Sequence, residues 1–337
     1  MDVELVSRLS GTVLEQWQGL LRRSGLEPDT DSDSTVLIWE GDELIAAASR
    51  RENLLKCIAV DDSRQGEGLT ASLLTALRQD AFQKGFRHLF LYTKPQNRYL
   101  FADLFFYPIA QTDKVLLMEN QPDGIGHFLE TLPVTPCTGT VGAAVMNCNP
   151  FTKGHRFLIE TAASECDRLY VFVLSEDKSE FSAEDRLEMV KLGTADLKNV
   201  TVLPTGPYLI SSATFPTYFL KDRENAETAH CLLDIAIFCK YYAAKFGITR
   251  RYVGTEPLSP LTRQYNDALK AHLPAKGIEV FEIPRLAQDG EPVSASRVRK
   301  LLQDNALDAL RSLVPETTYS YLTKEASLWQ RADQLTY

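Results

Sequence analysis

Histidine is scarce in this 337-residue chain, and the six cysteines (Cys57, Cys137, Cys148, Cys166, Cys231 and Cys239) form no C-x-x-C pair. That excludes the usual zinc-site spacings. Scattered free thiols in a chain this large suit a reducing compartment. There is no excess of cations: 36 Lys and Arg face 45 Asp and Glu, a formal net charge of -9. A sequence-independent nucleic-acid binder needs the opposite balance to displace counterions, so no nucleic-acid partner is expected. A phosphate-bearing small ligand stays open, because a local cluster of Arg and backbone N–H groups can hold one. The most apolar long stretch, residues 232–247, is interrupted by Asp234 and Lys240 and reads as a buried helix, not a membrane span. Met1-Asp2-Val3-Glu4 lacks the basic start and apolar run of a signal peptide. The expectation is a cytoplasmic, soluble protein.

What is present falls into two patterns. In the first half, residues 35–40 and 44–48 flank Gly41-Asp42, a hairpin signal. A strand over 55–60, an amphipathic helix over about 70–84, and strands over 88–93 and 114–118 complete a mixed α+β domain. Residues 120–138 carry Pro122, Gly124, Gly126, Pro133 and Pro136, with a short helical stretch over 127–132, and mark a domain junction. Beyond it, strands over 141–146, 168–174, 200–203, 251–253 and 279–283 alternate with helices. One helix spans 155–165; another is capped by Ser182, with Asp185 in the position of a capping-box acid. Alternation of this kind implies a parallel, doubly wound sheet with its ligands at the carboxyl ends of the strands. The expected fold class is α/β in two domains, residues 1–120 and 139–337, joined by a linker over 121–138.

The strand ending at Met146-Asn147 runs into Cys148-Asn149-Pro150-Phe151-Thr152-Lys153-Gly154-His155. Gly154 lets the chain enter a helix close beside a ligand. The unpaired N–H groups and positive dipole end of that helix attract phosphate. Thr152 and His155, three residues apart, are expected to donate to phosphate oxygens, as an in-line attack on the α-phosphate of ATP requires. An isolated T-x-G-H reads more simply as a helix start bonded to backbone. The strand before, the helix after and the full string favour a site, with Asn149, Pro150, Phe151, Lys153 and Gly154 as its nucleotide-binding surroundings. Far along the chain, Val293-Ser294-Ala295-Ser296-Arg297-Val298-Arg299 begins another helix, which Ser294 or Ser296 can cap. Arg299 is then free to reach outward as a second phosphate clamp. Gly254, Thr255 and Glu256 follow a strand and are placed to touch ribose or adenine. Tyr241, Tyr242 and Phe246 at helical spacing read as core. Cys148 reads as a bystander thiol.

This pairing resembles the nucleotidylyltransferase superfamily, with its (H/T)-x-G-H loop and late I-S-S-T-x-I-R-type helix start. By match, Thr152 and His155 take the loop roles, and Ser296 and Arg299 the late-motif roles. Thr152 stands where many members have a first histidine, as in the phosphopantetheine adenylyltransferase branch, so catalysis would lean on His155. Residues 181–188, Phe181-Ser182-Ala183-Glu184-Asp185-Arg186-Leu187-Glu188, resemble that superfamily's connecting helix. Longer strings narrow the resemblance: residues 146–159, Ala213-Thr214-Phe215-Pro216-Thr217-Tyr218-Phe219-Leu220-Lys221, Tyr252-Val253-Gly254-Thr255-Glu256-Pro257, Gln264-Tyr265-Asn266 and residues 292–302. With the first half, they resemble the citrate lyase ligase family over nearly the whole chain.

In the first half, the strand ending at Val60 is followed by Arg64-Gln65-Gly66-Glu67-Gly68-Leu69-Thr70, similar to the (Q/R)-x-x-G-x-(G/A) acyl-CoA segment of the GNAT acetyltransferases. Gln65 and Gly68 fit, while Thr70 stands where Gly or Ala is usual. Val60, Gln65, Gly66, Gly68 and Thr70 are the implied contacts to a CoA-like arm. The resemblance implies a GNAT-like α+β domain followed by a Rossmann-like nucleotidylyltransferase domain. It also implies ATP with Mg2+, acetate as the activated acid, and a citrate lyase acyl carrier subunit bearing a dephospho-CoA-like thiol as acceptor. No metal-ligating side chains are assigned. Two rival readings are an adenylyltransferase acting on a phosphate acceptor such as phosphopantetheine, and an acetyl-CoA-dependent acetyltransferase with a nucleotide sensor. A non-catalytic binding module is a third.

Overall fold

The computed structural model describes residues 1–176, 179–209, 215–220, 223–256, 259–288 and 290–324, with the side chains of 223–227 left aside. Ala213, Thr214, Lys221 and Pro257 of the strings above lie outside the described residues. The chain divides into two compact units, one of residues 1–127 and 215–236, the other of 128–214 and 237–337. A contiguous division at 121–138 assigns 215–236 to the second half; in the structure these residues cluster with the first.

The first unit is a seven-stranded sheet in the order β1-β2-β3-β4-β5-β7-β6. Its elements are β1 (Asp2–Val6), α1 (Gly11–Arg23), β2 (Ser34–Glu40), β3 (Glu43–Arg51), β4 (Leu54–Val60), α2 (Leu69–Gln83), β5 (Phe90–Thr93), α3 (Arg98–Ala102), β6 (Tyr107–Gln111) and β7 (Leu116–Glu119). The helix α4 (Gly124–Glu130) follows. Strands β2 and β3 form the expected hairpin. Strands β1 and β6 and helices α1 and α3 are additions to what the sequence pattern predicts. α1 buries Trp17, Leu20 and Leu21, an i, i+3, i+4 stripe. α2 packs Leu69, Leu73, Leu74 and Leu77 into the same core as Val36, Ala46, Leu55 and Leu91. β4 and β5 run parallel but pair only through Leu54 and Leu55 opposite Phe90 and Leu91. Past that point β4 turns at Cys57, whose φ is +53°, next to a register shift against β3. Such a bulge bends a strand away from its neighbour.

The second unit carries a five-stranded parallel sheet in the order β10-β9-β8-β11-β12. Its elements are β8 (Val141–Met146), α5 (Lys153–Ser164), β9 (Arg168–Val173), α6 (Ala183–Gly193) and β10 (Val200–Pro204). There follow α7 (Arg223–Ile237), α8 (Ala244–Phe246), β11 (Arg250–Gly254), α9 (Pro260–His272), β12 (Glu279–Ile283), the short pair β13 (Ala287–Gln288) and β14 (Glu291–Pro292), α10 (Ala295–Gln303) and α11 (Leu307–Leu313). Most of α7 belongs to the first unit. The apolar run of β8 reads as a central strand buried on both faces, and it is one. Gly142 is there because a Cβ would stand 2.7 Å from the Tyr252 ring of β11. Tyr242 and Phe246 are buried against Phe172, as the core reading expected, whereas Tyr241 is only half-buried, with the Lys240 ammonium over its ring.

The order of this sheet reverses at β8, from which the chain first builds outward through β9 and β10 and then returns to place β11 and β12 on the other side. That is the topological switch point, where an open parallel sheet leaves a crevice. The pairing fits: β8 and β11 share only two register pairs, Gly142 with Arg250 and Ala143 with Arg251, and then part.

Candidate functional site

The crevice is a cavity of about 500 Å³ beyond the carboxyl ends of β8, β11 and β12, within the range usual for small-molecule sites. Its walls include Val145, Met146 and Asn147 from β8, Thr152, Gly154 and His155 from the start of α5, and Gly254, Thr255 and Glu256 after β11. Tyr265 and Asn266 of α9, Arg285 after β12, and Val293 to Ser296 at the start of α10 complete it. Two helix N-termini therefore open on one space, as the paired motifs implied. Gly154 is where they approach: a Cβ there would lie 3.2 Å from the Val293 carbonyl oxygen.

The helix α5 begins two residues earlier than the sequence suggested, and this changes the role of Thr152. Thr152 is the N-cap, its hydroxyl accepting the His155 N–H at 3.3 Å, and it is 1% exposed. The His155 side chain closes the reciprocal half of the box: its Nδ1 accepts the Thr152 backbone N–H at 3.0 Å and also meets the Thr152 hydroxyl at 3.0 Å. The hydroxyl expected to donate to phosphate is thus committed to the cap. An Nδ1 that accepts a backbone N–H carries no proton when the ring is neutral, so the proton sits on Nε2. Burial, and next the positive charge of Arg285, push the His155 pKa down to about 4. At neutral pH the ring is therefore an uncharged donor through Nε2–H.

Not every residue of the first motif faces the cavity. Phe151 is fully buried in the core with Ile159, Met189 and Val190, stacked at 6.0 Å on the inner side of His155. Its ring also fills the space beside Gly193, where a Cβ would stand 2.4 Å away. Asn149 accepts the Phe181 N–H at 3.2 Å through Oδ1, and Pro150 is buried behind it. Lys153 donates to the Arg311 carbonyl at 2.8 Å. Of the late motif, Ser294 is the cap, accepting the Arg297 N–H at 3.3 Å, and Ser296 faces the cavity. Arg299 does not line it. Its guanidinium donates to the Asn149 carbonyl at 2.7 Å and pairs with Glu180 at 3.0 Å. The clamp closes on the loop's backbone, holding the turn that precedes α5.

Arg186 of α6 is fully buried. It donates to the carbonyls of Asn147, Leu174, Glu176 and Phe181 and to the Asn147 side chain. It thereby ties the ends of β8 and β9 together under the cavity rim. Glu256 is engaged too: it forms a two-pronged pair with Arg285 at 3.1 and 3.0 Å and accepts the Ser259 N–H at 3.2 Å. Arg285, Tyr265 and Asn266 lie outside both helix-start motifs of the sequence. Asn266 is 3% exposed and donates to the Gly254 carbonyl at 2.9 Å. Cys148 is buried and burial pushes its thiol pKa up, which fits a bystander.

In the first unit, Val60 ends β4 and Gly68 is the N-cap of α2, with φ of +77° at Gly68 and +87° at Gly66. Both glycines adopt a conformation costly for other residues, and nothing stands within 4 Å of where their Cβ atoms would be. Thr70 lies in the first turn of α2, while Gln65 is held by Asp62 at 2.8 Å. A separate cavity of about 240 Å³ opens where β4 and β5 part, lined by Ile58, Tyr92, Lys94, Asn97, Tyr218 and Phe219 among others. Residues 65–70 do not line it. Tyr218 donates to the Tyr92 carbonyl at 2.8 Å. Nearby Cys57 is buried, which pushes its thiol pKa up to about 12.

No described helix is long and apolar enough to cross a membrane. Comparison with known proteins agrees with this architecture. Residues 141–322 match the citrate lyase ligase C-terminal domain, and residues 6–102 match the acetyltransferase (GNAT) family. The chain is 44% identical to the citrate (pro-3S)-lyase ligase of Klebsiella pneumoniae, over 91% of each chain. It is 39% identical to that of Escherichia coli, over 94% of this chain and 92% of the relative. Against that of Haemophilus influenzae the identity is 37%, over 91% of this chain and 94% of the relative. A GNAT-like unit, a switch-point cleft between two capped helix starts and full-length similarity on this scale place the chain in the citrate lyase ligase family.

Proposed function

We propose that this ligase activates citrate lyase by acetylating the thiol of a dephospho-CoA-like prosthetic group on the acyl carrier subunit, using ATP and acetate. A carboxylate oxygen of acetate attacks the α-phosphorus of ATP. The bond from that phosphorus to the bridging oxygen breaks, giving acetyl-adenylate and pyrophosphate. The prosthetic-group sulfur, as thiolate, then attacks the acetyl carbon, and AMP leaves with the bonding electrons. The observation that carries this reading is His155, fixed by Thr152 as a neutral Nε2–H donor in a cavity that both helix starts open on. Such a donor stabilises charge that builds on phosphate oxygens as the pyrophosphate departs, without reorganising at the moment of reaction.

Magnesium is expected with the triphosphate. Among the described residues, no group of three or more His, Cys, Asp or Glu is placed to hold a metal ion, and the cavity's Glu256 is paired with Arg285. That donor set suits an ion that arrives on the nucleotide and keeps its waters. Cys148, the cysteine of this loop, is buried with its thiol pKa pushed up, which supports a direct transfer that does not pass through it. For the first unit, the exposed turn with Gly66 and Gly68 supports docking of the CoA-like arm, since N–H groups at such a helix start suit a pyrophosphate. The test is isotope exchange between ATP and pyrophosphate with acetate, propionate or citrate added. Exchange that depends on acetate supports the ligase reading. Exchange that depends on phosphopantetheine and ignores acetate favours the adenylyltransferase, and acetyl transfer from acetyl-CoA without ATP favours the acetyltransferase.

A further inference from the structure

We propose that Arg285 is the anion anchor of the cleft, holding the phosphate end of ATP that departs as pyrophosphate. The assignment deepens, and rests on, the reading that this cleft activates an acid with ATP. The cations that the sequence motifs offered are used elsewhere: Lys153 on the Arg311 carbonyl, Arg299 on the Asn149 carbonyl and Glu180. Two arginines line the cavity. Arg251 is 2% exposed and lies over the Phe238 ring at 4.7 Å, so its charge sits in the wall. The Arg285 side chain is 30% exposed and shares the cavity with His155 and the start of α10.

Arg285 is also held in place by two residues. Its backbone N–H donates to the Thr255 hydroxyl at 2.9 Å. Its guanidinium takes both oxygens of Glu256, whose carboxylate is fixed in turn by the Ser259 N–H at the start of α9. Glu256 engages one N–H on each Nη, which leaves Nε–H and the other Nη hydrogens for a ligand. A guanidinium presented in this way matches the oxygens of a phosphate with little loss of side-chain freedom.

The pairing with Glu256 also chooses between the two anions of the reaction. A guanidinium that shares its charge with a carboxylate gains little from a second single charge, such as acetate. A multiply charged phosphate tail competes far better for the same group. In an in-line displacement, acetate and the departing pyrophosphate lie on opposite sides of the α-phosphorus, so one fixed arginine serves one of them.

The experiment measures the affinity of the full-length protein for ATP, pyrophosphate and AMP by calorimetry, alongside acetate-dependent exchange, for the native chain and for Arg285→Gln, Arg285→Lys and Glu256→Gln. Loss of a charge-assisted pair predicts that Arg285→Gln weakens ATP and pyrophosphate about 10- to 100-fold and AMP less than about 3-fold. Arg285→Lys should recover part of the loss, and Glu256→Gln, which keeps a hydrogen-bond acceptor for the guanidinium but removes the competing charge, should tighten pyrophosphate. Equal weakening of ATP and AMP by both Arg285→Gln and Glu256→Gln would reveal a merely structural ion pair and overturn the proposal. A loss confined to the KM for acetate would overturn it as well. Native protein that shows no acetate-dependent exchange defeats the underlying reading instead, and the ATP-against-AMP comparison still judges Arg285.

Discussion

Changing His155 to alanine tests the geometry of the cleft at its centre. The structure gives the ring three properties: Nδ1 bound by the Thr152 N–H, Nε2–H left for the cavity, and a pKa pushed down to about 4 by burial and by Arg285. Removing one preorganised donor to a charge-developing oxygen costs about 100- to 1,000-fold in kcat, or roughly 3–4 kcal/mol. Because the bond strengthens as charge develops, the loss belongs in kcat, with a smaller change in ATP affinity. The pH profile follows from the same geometry. A ring with its pKa near 4 is about 99% neutral at pH 6, whereas an unperturbed histidine would be only about one-quarter neutral. Activity should therefore show no step assignable to His155 between pH 8 and pH 5.5. A step below pH 5, absent from His155→Ala, should mark its protonation. Stability follows the same sign: the unfolded chain binds this proton first, so the contribution is complete above about pH 6.5 and is lost as pH falls toward 4. Stopped-flow or exchange measurements of kcat over that range suffice. An unchanged kcat in His155→Ala, or activity that requires a group protonated near pH 6.5 and missing from that variant, would refute the neutral-donor account.

Further consequences can be measured separately. Thr152→Val removes the cap hydroxyl but keeps the backbone N–H on Nδ1, so it should cost about 0.5–2 kcal/mol in chemical denaturation, with Thr152→Ser recovering most of it. Phe151→Ala empties a fully buried ring site and should cost about 3–5 kcal/mol, a marked fall in Tm that a nucleotide-contact role would not produce. Gly142→Ala forces a Cβ against Tyr252 and should destabilise by about 1–3 kcal/mol in the same denaturation assay. Gly68→Glu should spare acetate-dependent exchange while slowing acetylation of the carrier thiol; equal loss of both would end the division of labour proposed between the units.

The second unit was the more legible one. The apolar runs of β8 and β9 are short and continuous, so the expected positions lie close to those found. β1 is a mostly exposed five-residue strand and β6 contains Pro108, so neither has a strong pattern of its own. α5 starts before the sequence pattern shows it because its capping box uses histidine where glutamate is usual, making Lys153-Gly154 look like loop. The motif string lies beside the cavity but cannot assign directions to its side chains. Neighbours along a loop turn to different sides, and so Phe151, Lys153 and Asn149 serve the fold while Gly154 and His155 face the cavity. Arg285 had no local signal at all. Its role follows from which strand neighbours β11 and from Glu256 across that pair, relations set by sheet order.

The chemistry proposed for this cleft has one direct signature. Acetate labelled with oxygen-18 in its carboxylate, incubated with the protein, ATP and the acyl carrier subunit, should deliver one labelled oxygen to the phosphate of AMP for each acetyl group transferred. The label enters when the carboxylate attacks the α-phosphorus and stays with AMP when the thiol takes the acetyl group. Acetylated carrier with unlabelled AMP, or label found in orthophosphate or pyrophosphate, would contradict acetyl-adenylate formation in the cavity beside His155.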